Sequence, residues 1–278
     1  MEAQACLELL KRMKKSFGQN FLIDKSYQEK IIDSMNLQST DIVLEIGAGS
    51  GIMTILLAEK VKKVYAVEVE RDVLKLLRHN LAKNNLENVE IIESNFLKLD
   101  IKKIISVPFK VFGNIPYNIS SRILLKLFGE VDSPSELLQL FKEAYLMVQY
   151  EVGNRLVAKP STKEYSPLTL LVQYFSVPKL LFKVSRSAFK PVPKVDSAFL
   201  SFDVKEKLPY VKSPSLLKNI IRTGFQQRRK KIINSLSKLF ENKEILIQIL
   251  KELELSAELR IDMLSLEDFI KIANQIYA

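Results

Sequence analysis

Apolar positions along the chain gather into short runs that alternate with stretches of helical spacing. Ile42-Val43-Leu44-Glu45-Ile46 is almost unbroken apolar sequence that ends in glycines, and Ile52–Ala58 has the length and composition of a helix. This predicts strand, turn and helix. Residues 64–68 repeat the strand pattern ahead of a predicted helix over Arg71–Lys83, and Val89–Glu93, 109–112 and 144–148 repeat it again, the last before a helix around 150–158. Strands that alternate with helices imply a parallel sheet covered on both faces, because parallel neighbours need crossover connections. Residues 179–184 and 197–202 flank a proline-rich loop and would complete the sheet as a hairpin-like pair.

Beyond about residue 204 the pattern changes to amphipathic helical stretches near 215–225, 229–240, 243–253 and 266–276. The expected organisation is therefore an α/β domain over residues 1–204, carrying a basic N-terminal arm, and a small all-helical domain over 205–278.

Composition narrows the chemistry. The 278 residues include 42 Lys and Arg against 32 Asp and Glu, giving a formal charge of +10, a balance that favours a polyanionic partner. With one cysteine, Cys6, and one histidine, His79, no disulfide can form within the chain. Cys/His zinc sites and Ser-His or Cys-His catalysis are excluded on the same count, and no metal is expected. His79 lies in the polar run Leu76-Leu77-Arg78-His79-Asn80 and reads as a solvated helix residue. The stretch from Met1 to Leu10 carries Glu2 and Glu8 and is short for a secretory segment, and no uncharged run approaches the roughly 18 residues of a membrane helix. A cytoplasmic protein with no membrane partner is expected.

Two motifs carry candidate chemistry. In Glu45-Ile46-Gly47-Ala48-Gly49-Ser50-Gly51 the missing Cβ atoms allow a tight turn at the carboxyl end of the first strand, where open α/β sheets place ligands. The spacing differs from the dinucleotide fingerprint and lacks the Lys-Ser/Thr pair of a P-loop. Glu68, at the end of the second strand, can accept hydrogen bonds from both hydroxyls of a ribose. This combination suits S-adenosyl-L-methionine.

The second motif, Asn114-Ile115-Pro116-Tyr117, falls at the end of the fourth strand on the same sheet edge. Adenine N6 is a poor nucleophile because its lone pair is delocalised, and a catalyst gains by accepting hydrogen bonds from its N–H groups. Asn114 Oδ1 and the Ile115 carbonyl can do so. Pro116 biases the preceding residue towards extended backbone, and Tyr117 can stack on the base for about 1–3 kcal/mol. The two motifs together point to methylation of adenine.

With these residues the chain resembles the KsgA/RsmA family of small-subunit ribosomal RNA adenine dimethyltransferases. The likeness extends to Lys15-Ser16-Phe17-Gly18-Gln19-Asn20-Phe21-Leu22, to the segment from Phe189 to Ala198 that begins Phe189-Lys190-Pro191-Val192-Pro193, and to Gln227-Arg228-Arg229-Lys230. It implies a Rossmann-like class I methyltransferase sheet with a C-terminal helical domain that binds rRNA. It also implies cofactor contacts from Asn20, Leu22, Gly47, Gly49, Glu68 and Asn114, and a Phe189 ring facing Tyr117 so that the target adenine is held between two rings. Where the family has an acidic residue on the cofactor adenine, this sequence has Asn95, followed by Phe96, which can pack on the adenine face.

The implied reaction is direct transfer of two methyl groups to N6 of adenosine, on two adjacent adenosines in a 3′-terminal hairpin loop of small-subunit rRNA. The implied partner is that RNA within an immature ribosomal subunit, met by a monomeric enzyme. Lys11, Arg12, Lys14 and Lys15, with Arg222, Arg228, Arg229, Lys230 and Lys231, are the expected phosphate contacts. Two alternatives compete: an Erm-type large-subunit rRNA adenine methyltransferase, and a non-catalytic RNA-binding assembly factor on the same scaffold. The Phe189 to Ala198 segment and the N-terminal block from Phe17 to Leu22 favour the small-subunit reading over the first. An intact glycine loop and tetrapeptide oppose the second.

Overall fold

The structure, a computed structural model, describes residues 20–240 and 242–276. The arm residues Lys11, Arg12, Lys14 and Lys15 lie outside the described residues. The chain divides into two compact units, the first formed by the sequence up to Leu127 with Leu137–Gly153 and Lys179–Val204. The second takes Phe128–Glu136, Asn154–Pro178 and the sequence from Lys205 onward. It is therefore larger than the C-terminal segment expected from residue 205.

The first unit is built on a seven-stranded sheet. Its strands are β1 (Ile42–Ile46), β2 (Lys63–Glu68), β3 (Val89–Glu93), β4 (Phe109–Asn114), β5 (Phe141–Gln149), β6 (Ser176–Val184) and β7 (Ser197–Val204), in the spatial order β3-β2-β1-β4-β5-β7-β6. The pairs β1–β2, β1–β4, β2–β3 and β4–β5 are parallel, while β7 runs antiparallel to β5. The last two strands are neighbours, as the sequence suggested, with β7 slotted between β5 and β6. The central strands read as continuous hydrophobic runs because they are covered on both faces: Val43, Leu44, Val64, Val111 and Met147 are fully buried.

Strand order reverses beside β1, with β2 and β3 on one side and β4 and β5 on the other. A crevice opens at such a point, outside the carboxyl ends of the strands. The glycine loop follows β1 there, and Asn114 ends β4.

Helices α1 (Lys25–Ser34), α2 (Ile52–Ala58) and α3 (Arg71–Lys83) belong to the same unit. Asp24 caps α1 by accepting from the Tyr27 N–H at 3.2 Å. The α2 helix starts from Gly51 in the left-handed region, φ +86°, where a Cβ would stand 2.6 Å from Leu77 Cδ1. Glycine there lets the loop turn tightly against α3.

In the second unit, α4 (Pro167–Phe175) carries a Ser166/Thr169 capping box, and α5 (Pro214–Gln226) is capped by Ser213. The rings of Tyr165, Phe225 and Phe269 follow one another at centroid separations of 6.1 and 6.2 Å. The helix expected over 229–240 is instead a single turn, Ile232–Ser235, followed by the 3-10 turn Ser237–Leu239. Lys231 forms an antiparallel bridge with Arg260, and the Ile232 N–H donates to Leu259 O at 2.7 Å. Pairing with 259–260 holds Lys231 extended, so helical geometry cannot begin before it.

Candidate active site

The glycine loop is shaped by the ends of two strands. Gly47 N–H and Ala48 N–H donate to Val67 O at 2.9 and 3.1 Å, which folds the loop back over β2. Gly47 and Gly49 take φ values of +77° and +57°, which L-residues rarely adopt. Glu68 fixes this arrangement: its Oε2 accepts from Gly49 N–H at 2.9 Å, and its Oε1 accepts from Val69 and Glu70 N–H at 2.8 and 3.0 Å. The carboxylate is buried and staples the loop after β1 to the end of β2.

Across the reversal point, the Asn114 Nδ2 donates to Asn20 O at 3.0 Å. That bond settles the orientation of the amide, committing its nitrogen to the backbone before β1 and leaving Oδ1 as its acceptor end. The Ile115 N–H donates to Met147 O at 3.1 Å, anchoring the tetrapeptide on β5. Tyr117 is half-buried, its hydroxyl 2.8 Å from Ser197 Oγ. Burial raises the phenol above its ordinary value, with Asp196 adding to the effect, so Tyr117 stays neutral.

Asn20, Leu22, Gly47, Gly49 and the whole Asn114-Ile115-Pro116-Tyr117 segment line one open cleft. Phe21, Ser50, Met53 and Glu45 complete its wall. Glu45 was not singled out from sequence; a lone acid inside an otherwise apolar strand was its signal. It is wholly buried, its Oε2 accepts from Thr54 Oγ1 at 2.6 Å, and loss of hydration pushes its carboxyl up to about 8.

Other expected residues lie elsewhere. Phe189 is not among the residues that line the cleft. It pairs across a two-residue ladder, Leu22 opposite Phe189 and Phe21 opposite Lys190, and this register turns Leu22 and Phe189 inward together. The Phe189 ring is 1% exposed and packs in the core with Val184, Ala188 and Phe199. Asn95 is outside the cleft wall, at the turn after β3. Its Oδ1 is engaged by the Leu97 N–H at 2.9 Å, so the side chain caps its own turn. Ser94 N–H donates to Glu68 O at 3.0 Å, which sets that turn beside the end of β2. Phe96 is buried, with Lys126 Nζ 5.3 Å from its ring centre.

Among the expected phosphate contacts, Arg222, Arg229 and Lys230 are exposed. Arg228 is committed within its own unit, donating to Thr162 O at 2.6 Å, Lys163 O at 2.7 Å and Asp262 Oδ2 at 3.1 Å. Lys231 is ion-paired with Glu258.

The family model for ribosomal RNA adenine dimethylase matches residues 10–277. The chain belongs to that family. This family member is 36% identical over 272 residues to "Ribosomal RNA small subunit methyltransferase A" of Caldanaerobacter subterraneus subsp. tengcongensis, covering 96% of this chain and 98% of the relative. Among solved structures it is similar to a dimethyladenosine transferase from Plasmodium falciparum, with TM-score 0.73, 29% identity, and coverage of 91% and 95%. The 23S rRNA methyltransferase ErmE, at TM-score 0.72 and 24% identity, covers 93% of this chain and all of its own and shares the fold. Among the described residues no helix is long and apolar enough to cross a membrane.

The residues fit the family's donor, S-adenosyl-L-methionine. Bare glycine backbone lines the cleft, an acid closes the end of β2, and a Cβ on Gly49 would stand 3.1 Å from Phe21 Cε1, so the loop can be approached only while it stays without side chains.

Proposed function

We propose that this chain transfers methyl groups from S-adenosyl-L-methionine to N6 of two adjacent adenosines in a 3′-terminal hairpin loop of small-subunit rRNA, giving N6,N6-dimethyladenosine. The reading is carried by one observation: Asn114 stands in the same cleft as the glycine loop, with its amide oriented by Asn20. When bound, the donor supplies an electrophilic methyl group on a sulfonium. The protein's part is to position and to accept hydrogen bonds.

Gly47 and Gly49 present backbone to the donor, and Glu68, held beside them by the Gly49 N–H, takes the ribose hydroxyls. Asn20 and Leu22 close the cleft beside them. Asn114 Oδ1 and the Ile115 carbonyl accept from the two N–H groups of the adenine amine. Pro116 holds the turn, with φ −56°, and Tyr117 supplies a face for the base. Preorganised acceptors of this kind stabilise charge as it develops, without reorganisation at the moment of transfer. No strong base is needed in the tetrapeptide, since the alkylated nitrogen is acidic and gives its proton to water.

A base reaching this cleft must leave its stack first, which unpaired loop nucleotides do at least cost. With the Phe189 ring enclosed, the base rests on Tyr117, and Phe189 contributes by backing Leu22. Asn95, whose Oδ1 is engaged by its own turn, offers an amide N–H₂ to the cofactor adenine where an acid would accept, and Phe96 sits beneath that turn. Lys11, Arg12, Lys14, Lys15, Arg222, Arg229 and Lys230 hold phosphates, in keeping with the positive charge of the chain. The substrate is the RNA of an immature small subunit in the cytoplasm, met by a monomeric enzyme.

The test is incubation with labelled donor and immature small subunits lacking the modification, then digestion to nucleosides. Label in dimethyladenosine from the small-subunit RNA is expected. Label confined to large-subunit RNA would replace this reading with an Erm-type activity.

A further inference from the structure

We infer that Glu45 senses charge in the cleft, holding a proton until the cationic methyl donor enters and releasing it to solvent, so that the sulfonium donor is retained in preference to the neutral thioether left after transfer. The inference rests on the reading that this cleft binds S-adenosyl-L-methionine.

Among the described residues lining the cleft, Glu45 is the only acid and Tyr117 the only other titratable group. The rest of the described wall is glycine backbone, hydroxyl, amide and apolar side chain, so within that wall the counter-charge to an incoming cation is Glu45, while Glu68 is held on the backbone at the end of β2. The described groups packed around Glu45 include no cation that would favour its ionised form. From α2 it meets Thr54, whose hydroxyl donates at 2.6 Å. From β2 it has Ala66 alongside and Glu68 at the strand end, and from β4 Phe112 alongside and Asn114 at the strand end. Of these Glu68 alone is charged, and its negative charge, like burial, favours the protonated form of Glu45.

An isolated carboxylate at full burial is costly, and the group neutralises instead. A cation arriving in the cleft reverses that balance by favouring the ionised form. Donor binding must then release a proton, and affinity for the donor rises by up to about tenfold per pH unit below about pH 8. Methyl transfer removes the sulfonium charge, Glu45 takes a proton back from solvent, and the product loses its counter-charge. The amino group of the donor is common to both molecules, so the sulfonium is what differs.

The experiment is calorimetric titration at pH 7 in buffers of different ionisation enthalpy, using S-adenosyl-L-methionine and S-adenosyl-L-homocysteine on the wild-type chain, Glu45→Gln and Thr54→Val. Wild type is expected to release most of a proton with the methionine compound and clearly less with the homocysteine compound. Glu45→Gln should lose that difference. Thr54→Val keeps the acid and removes the hydrogen bond that favours its ionised form, so its release profile should move to higher pH. Equal release from wild type and Glu45→Gln, or equal release with the two ligands, overturns the inference. Should Glu45→Gln not fold, an unshifted profile in Thr54→Val overturns it alone. Absence of donor binding to wild type would instead remove the cofactor reading beneath it.

Discussion

Asn114 and Asn20, 94 positions apart, are joined by a 3.0 Å hydrogen bond from the side-chain amide of one to the backbone carbonyl of the other. The bond holds the amide by its nitrogen, so its oxygen is presented without a rotamer search. Asn114→Ala should lower methyl transfer by about 10²–10³-fold, as loss of a preorganised polar group typically does, while donor affinity stays within a few fold. Radiolabel transfer and calorimetry on the same preparation check both halves. Turnover within threefold of wild type would remove Asn114 from the reaction.

Glu68 makes three hydrogen bonds to backbone N–H groups, so its loss should act twice. Glu68→Ala is expected to weaken donor binding by roughly 10- to 100-fold, since bonds to an ionised acceptor contribute about 1.5–3 kcal/mol. It should also lower Tm by freeing the glycine loop. A variant with weaker binding and unchanged Tm would confine the role of Glu68 to the ligand.

Gly49→Ala tests the loop directly. Its φ of +57° and a Cβ 3.1 Å from Phe21 Cε1 together predict destabilisation of at least about 1 kcal/mol. Denaturant unfolding should show a lower midpoint at unchanged m-value.

Glu45 makes stability depend on pH with an unusual sign for an acid. In the unfolded chain it ionises near its ordinary value, about 4.3, whereas the folded chain keeps the proton up to about 8. Between those values the folded state binds more protons than the unfolded one. The contribution of this site is therefore complete below the lower value and is lost as pH rises through the window. Glu45→Gln should gain in Tm relative to wild type as pH is raised from 5 to about 8. A difference that stays flat over that range would mean Glu45 has no raised titration.

Arg228 and its neighbours should separate stability from RNA affinity. Arg228→Ala removes donors from Thr162 O and Lys163 O and leaves the buried Asp262 short of a partner, so a loss of about 1–3 kcal/mol in stability is expected. Arg229→Ala and Lys230→Ala should leave Tm in place, weaken RNA binding and each reduce the slope of log affinity against log salt by about 0.7–0.9. Filter binding across a salt series measures the slope.

Much of this fold is legible in the sequence because its signals are local. Ile42–Ile46 ends in glycines, Arg71–Lys83 has a helical apolar stripe, and both elements have those bounds in the structure. The cleft was legible for the same reason, since Gly47 and Asn114 end neighbouring strands. What was not legible depends on distant partners. The ladder of Phe21 and Leu22 with Lys190 and Phe189 is two residues long, too short for a periodic pattern, and it alone decides that the Phe189 ring turns into the core. The helix expected over 229–240 was lost to a backbone pairing with 259–260, and Arg228 was spent on carbonyls some 65 positions earlier. Glu45 was visible as a residue, but burial gives it its character, and burial is a property of the folded sheet.

The second unit is assembled from three separated stretches of sequence, and its aromatic row runs from Tyr165 in the middle stretch to Phe225 and Phe269 in the last. Truncation after Val204 would thus not detach a self-sufficient module. It would strip Tyr165 of its ring neighbour and leave Thr162 O and Lys163 O without the guanidinium that satisfies them, presenting a raw apolar face that favours aggregation. Excising this unit intact would require splicing across the gaps in the chain.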